Sequence, residues 1–108
     1  LIYHITNEEH WLKALDRGYY DHESLKKEGF IHCSYLEQIP RTLEKHFPQE
    51  TQVYVLHIVE KRVRDILRKE ANPESGEIFP HLYGKIDITA IEDVSIWEKD
   101  EKGQWGKG

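Results

Sequence analysis

The stretch Gln52 to Val59 constrains this 108-residue chain more than any other, because it is apolar on both faces of an extended strand. Val53, Val55, His57 and Val59 alternate with Tyr54, Leu56 and Ile58. Successive strand side chains point to opposite faces, so such a strand belongs in the middle of a sheet with both faces covered. The neighbouring strands and the covering helices must come from the rest of the chain.

The flanking sequence provides them. Leu1 to Ile5 reads as a first strand, and Thr6-Asn7-Glu8-Glu9 has capping-box spacing, with Thr6 as N-cap and Glu9 reaching back. A helix over roughly 7–17 follows, with Trp11, Ala14 and Leu15 on one face and Gly18 at its left-handed end. Another helix starts anew at Pro40, whose ring excludes an interior position, presents Leu43 and Phe47, and ends at Pro48. Lys61 to Lys69 predicts a short basic helix with a solvated face, Leu67 to Ala71 being extended in the alternative. Asn72 to Gly76 is a turn, Glu77 to Phe79 can pair briefly, Pro80 to Gly84 is a shaped loop, and a last strand covers about 91–98. Together these predict a single α+β domain over 1–108, with a mixed, split β-sheet and two or three short helices.

Charge and cysteine content narrow the function. Twenty acidic residues against 15 basic ones leave a formal charge of −5, which argues against extended nucleic-acid binding but not against a small anionic ligand. The single cysteine, Cys33, rules out an internal disulfide and a thiolate-rich metal site, and points to a reducing cytoplasm. Leu1 to Ile5 is too short for a signal peptide, and no apolar run reaches membrane-spanning length.

Chemistry concentrates in Gly29-Phe30-Ile31-His32-Cys33-Ser34, which sets polar side chains into an apolar, strand-like run. A buried polar group left unpaired costs roughly 1–3 kcal/mol, so His32 and Ser34 need partners or a pocket. On a strand, His32 and Ser34 share a face, as do His4 and Thr6 in His4-Ile5-Thr6. Each pair sets an imidazole beside a hydroxyl, suited to a ribose, an amide or a phosphate oxygen. The competing assignment makes Thr6 and Ser34 helix caps and lets the histidines bond nearby carbonyls. The loop Phe79 to Gly84 adds His81 and Tyr83, with Glu70 and Glu77 flanking the turn that delivers it. His10, His22 and His46 lie in polar contexts and read as solvated, and Cys33 reads as a small buried hydrophobe. No histidines stand at close helical spacing, which leaves a metal site on His4, His32 and His81 as a minor alternative.

Gly29 to Ser34, Phe79 to Gly84 and the Tyr3-His4 opening resemble the signatures of domain-of-unknown-function family 952, small bacterial proteins of uncharacterised activity. Trp11 and Ala14, and the pair Leu67 and Glu70, extend that resemblance. More remotely, His4 with Thr6, and His32 with Ser34 ahead of a helix and the Val53–Val59 strand, are similar to the ADP-ribosyltransferase-like group, which includes RNA 2′-phosphotransferases. That resemblance implies an ADP-ribosyltransferase-like split sheet clasping NAD, ADP-ribose or another nucleotide. His32 and His81 would be catalytic with Glu70 as a candidate carboxylate, and His4, Thr6, Ser34 and Tyr83 would bind the ligand. Ile5 replaces the glycine usual in the His-Gly-Thr form, and no late glutamate matches the transferase acid. A non-catalytic module that binds a small metabolite is the alternative from another class.

Overall fold

The computed structural model describes residues 1–108. In chain order the elements are β1 (Ile2–Thr6), α1 (Glu8–Arg17), β2 (Tyr19–Tyr20), α2 (Ser24–Lys27) and β3 (Ile31–His32), then a 3₁₀ turn and α3 (Ile39–His46). The second half holds β4 (Gln52–Ile58), α4 (Glu60–Val63), β5 (Leu67–Ala71), β6 (Ile78–Leu82) and β7 (Ile86–Asp87), a 3₁₀ turn, β8 (Ile91–Lys99) and β9 (Trp105–Lys107).

β4 is central, in a four-stranded sheet of order β1-β4-β8-β9. Val53 and Val55 on one face pack with Tyr3 and Ile5 beneath Ile39 and Leu43 of α3. Leu56 and Ile58 on the other face join Ile2, Ala14 of α1, Tyr20, Ile31 and Leu82 in the larger core. A second sheet has the order β3-β6-β5, and β2 pairs with β7. Every pairing is antiparallel, so the expected mixed sheet is corrected to separate antiparallel ones. Parallel neighbours need a long crossover, and the connections in this chain are mostly short. There are four α-helices rather than two or three, two of them only four residues long.

Helix α1 starts on Asn7, whose side chain accepts from the His10 N–H at 2.8 Å, and Thr6 remains the last residue of β1. The predicted cap was therefore one residue early. Gly18 ends the helix as expected, at φ 86° with its N–H on the Ala14 carbonyl. Ser34 does not cap the following turn either. Tyr35 precedes that turn, and the Gln38 side chain accepts the Tyr35 N–H at 2.9 Å.

Phe79 pairs as expected, but Pro80 to Leu82, expected as a loop, continue the same strand β6, the middle strand of its sheet. Pro80 is tolerated there because it falls where the β3 ladder ends. Cys33 N–H donates to the Pro80 carbonyl at 3.0 Å, and proline has no amide to return. The chain then crosses to β1, where Ser34 N–H donates to Tyr3 O at 2.7 Å and Tyr3 N–H to Ser34 O at 2.9 Å. Gly29 to Ser34 is thus the link that holds the two larger sheets together.

Candidate functional site

That link brings histidines of both sheets into register. His4 is 5% exposed, with Nδ1 2.6 Å from the His32 main-chain carbonyl and Nε2 2.8 Å from the Tyr20 hydroxyl. A carbonyl only accepts, so Nδ1 carries the proton. Burial pulls this imidazole down to about 3, and it stays neutral with Nε2 as acceptor. Thr6 Oγ1 lies 2.9 Å from the same Tyr20 oxygen. Both polar side chains of His4-Ile5-Thr6 are thereby buried and hydrogen-bonded inside the protein. Ser34 is buried as well, 3.5 Å from the Thr42 hydroxyl. His4 has no free nitrogen for a cation, and no three His, Cys, Asp or Glu side chains form a group able to hold a metal ion.

His32 and His81 do meet. They are directly opposed across β3 and β6, and their rings lie 5.5 Å apart, centroid to centroid. Directly opposed residues share a face of the sheet, so both imidazoles project the same way. Each has its own carboxylate. His81 Nδ1–H donates to Glu70 Oε1 at 2.8 Å, while His32 Nε2 bonds Glu28. Glu70 is delivered by β5, where it opposes Phe79, and its Oε1 also accepts the Tyr83 hydroxyl at 2.6 Å. These two bonds, Tyr83 first, hold the Glu70 carboxyl below the usual range, and Glu70 in turn raises the Tyr83 phenol. Phe30 packs flat on His81, with centroids 4.1 Å apart and planes at 19°, and meets His32 edge-on at 4.7 Å.

With Nδ1 committed to Glu70, His81 keeps an Nε2 lone pair free, the arrangement of an oriented general base. His32 keeps Nδ1 free by the same reasoning. Two imidazoles with separate carboxylate partners, next to an aromatic surface, can move protons at two points of one bound molecule. Glu77 takes no part, being tied to Gln38 at 3.0 Å and Arg41 at 3.7 Å.

His10 and His22, expected to be solvated, are half-buried. The His22 ring lies 5.7 Å from His4 and 6.0 Å from His10, so His10 and His22 stand next to the buried His4. The available signal was Gly18, since a left-handed end of α1 turns Tyr19 to Glu23 back beside the helix. His46 is exposed on α3, as expected. His57 is buried with Nε2 2.8 Å from Ser95 Oγ, so it is satisfied within the sheet.

A family model described as "Protein of unknown function (DUF952)" matches residues 5–94. The crystal structure of protein CC0527 from Caulobacter crescentus, a structural-genomics target, is similar, with a TM-score of 0.86 and 26% identity over 97% of this chain and 92% of that one. Its solution NMR structure gives a TM-score of 0.82 and 28% identity over 96% and 90%. No curated protein matches the sequence. These likenesses support family and fold, and do not extend to the ADP-ribosyltransferase-like relationship.

Proposed function

The chain belongs to the DUF952 family, and from the geometry of its site we propose that it is an enzyme acting on a nucleotide-class small molecule, with His81 and His32 as the acid–base pair. The observation that carries this reading is the opposed pair itself, two imidazoles 5.5 Å apart, each oriented by its own glutamate. In a group transfer, His81 Nε2 accepts the proton of the attacking hydroxyl, and His32 in its protonated form returns one to the leaving group. Phe30, half-buried and stacked on His81, borders the pair with an aromatic edge suited to a base. Tyr83, 37% exposed and fixed by Glu70, lies beside Phe30, with ring centroids 5.3 Å apart.

The residues fit a base and its sugar better than a whole dinucleotide, because His4, Thr6 and Ser34 are withdrawn into the interior. NAD and ADP-ribose, the ligands the remote resemblance implies, are accordingly substrates to be tested, and transfer of an ADP-ribosyl or phosphoryl group is the reaction class. The test is titration with NAD, ADP-ribose and a 2′-phosphorylated RNA, following histidine ring NMR signals and analysing products by mass spectrometry. Selective shifts of His32 and His81 with product formation that His81→Gln abolishes are expected. No shift at either ring at millimolar ligand would end the proposal.

A second reading, a module that binds a metabolite without converting it, draws on the openness of the site. The His32 and Glu28 side chains are 58% and 50% exposed, and little around them excludes water. Saturable His32 and His81 shifts without any product would decide for it.

A further inference from the structure

A separate cleft of about 260 Å³ lies where α1 faces the segment joining β2 to α2. We infer that it binds a small zwitterion of the α-amino-acid class, an inference that does not depend on the nucleotide reading. Lys13 and Arg17 line it from α1, and Asp21 and Glu23 line it from the returning segment. Residues four apart on a helix share a face, so the two cations stand on one wall, while the two carboxylates come from the segment opposite. A simple anion would meet Asp21 and Glu23, and a simple cation would meet Lys13 and Arg17. A ligand carrying both charges satisfies both walls.

The existing ion pairs do not close the cleft. Arg17 reaches Asp21 at 3.7 Å with both side chains well exposed, Lys13 pairs with Glu9 of its own helix at 3.5 Å, and Glu23 pairs with Lys27 at 3.7 Å. Exposed pairs of this kind contribute little, so a ligand replaces them at small cost.

His22 supplies the neutral contact. Its Nδ1 accepts the Ser24 N–H at 3.1 Å and lies 3.0 Å from the Ser24 hydroxyl, which leaves Nε2–H as the free donor. Burial and the neighbouring His10 favour that uncharged form. The imidazole of His10, 6.0 Å away and roughly perpendicular, adds a second planar wall. The cleft is smaller than the roughly 300–1,000 Å³ usual for drug-sized ligands, which suits an amino acid.

The experiment titrates the full chain, isotopically labelled, with glycine, L-glutamine, L-glutamate and L-lysine separately. Acetate and methylammonium serve as the single-charge controls at constant ionic strength. At least one amino acid should give saturable shifts of the His10 and His22 rings, about tenfold tighter than either control. Arg17→Gln and Asp21→Asn should each weaken it about fivefold or more while leaving His81 signals in place, which also verifies that the variants are folded. No saturation by any of the four amino acids up to about 50 mM overturns the inference, as does acetate or methylammonium binding equally well. Because the readout sits at His10 and His22, failure here leaves the His32–His81 reading untouched, and the converse also holds.

Discussion

His4 Nδ1 donates to the main-chain carbonyl of His32 across 2.6 Å, so a buried imidazole of one sheet holds the backbone beneath an exposed imidazole of another. The two histidines have similar local sequences and opposite fates. One is neutral and structural, and the other is available for chemistry.

The neutral state of His4 makes stability depend on pH. Its folded value of about 3 lies below the ordinary 6.5, so the unfolded chain binds the proton first and stability falls with acidification. The contribution is complete above the unfolded value and is lost as pH drops towards the folded one, on the order of 5 kcal/mol across the whole interval. His22 and His57, also lowered chiefly by burial, add in the same direction. Urea unfolding of the native protein at neutral and mildly acidic pH should show this loss. His4→Phe should start less stable and have a visibly flatter pH dependence, and an unchanged slope would contradict the assignment.

The Tyr20 hydroxyl serves His4 Nε2 and Thr6 Oγ1 together in a buried position. Tyr20→Phe should therefore destabilise by about 1–3 kcal/mol, more than an isolated hydroxyl would, because two partners are left without it. A double-mutant cycle with Thr6→Val checks this through a non-additive second loss.

At the start of α1, Asn7→Ala should cost about 1 kcal/mol, since the carboxamide caps the His10 N–H. Thermal denaturation of Asn7→Ala beside Asn7→Asp separates capping from other effects: aspartate retains the acceptor and should keep most of the stability.

Glu70→Gln should bring the Tyr83 phenol back towards its ordinary titration range, because the Glu70 hydrogen bond is the main cause of its elevation. NMR titration of ring-labelled tyrosine reads this directly. A Tyr83 midpoint unmoved by the substitution would show that Glu70 does not orient this side of the site.

Cys33 is 3% exposed, and burial pushes its thiol up. An aromatic disulfide reagent should label it only as fast as the protein opens, with a rate that rises steeply in urea. Rapid labelling of the native state would contradict its place in the core.

Parts of this were legible in the residue pattern because they rest on local physics. The two-sided apolar run of β4 required a central position, and Gly18 required a left-handed end to α1. The N-cap was misplaced because Thr6 and Asn7 both suit the role, and the choice fell to Tyr20, fourteen residues away, which takes up Thr6. Pro80 to Leu82 read as a loop because Pro80 argues against an inner strand, and only the departure of the neighbouring strand at Cys33 removes the objection.

By itself the sequence determined an α+β chain with a central β4, a capped first helix and histidines set in strand-like runs. Tertiary structure alone decided which histidines are free. A strand pattern places His4 and His32 alike, but burial beneath Tyr20 fixes the first as neutral and bonded, while pairing across β3 and β6 sets the second opposite His81 at the surface. Solvent exposure and long-range partners fix the protonation and availability of an imidazole, and neither is a property of its neighbours in sequence.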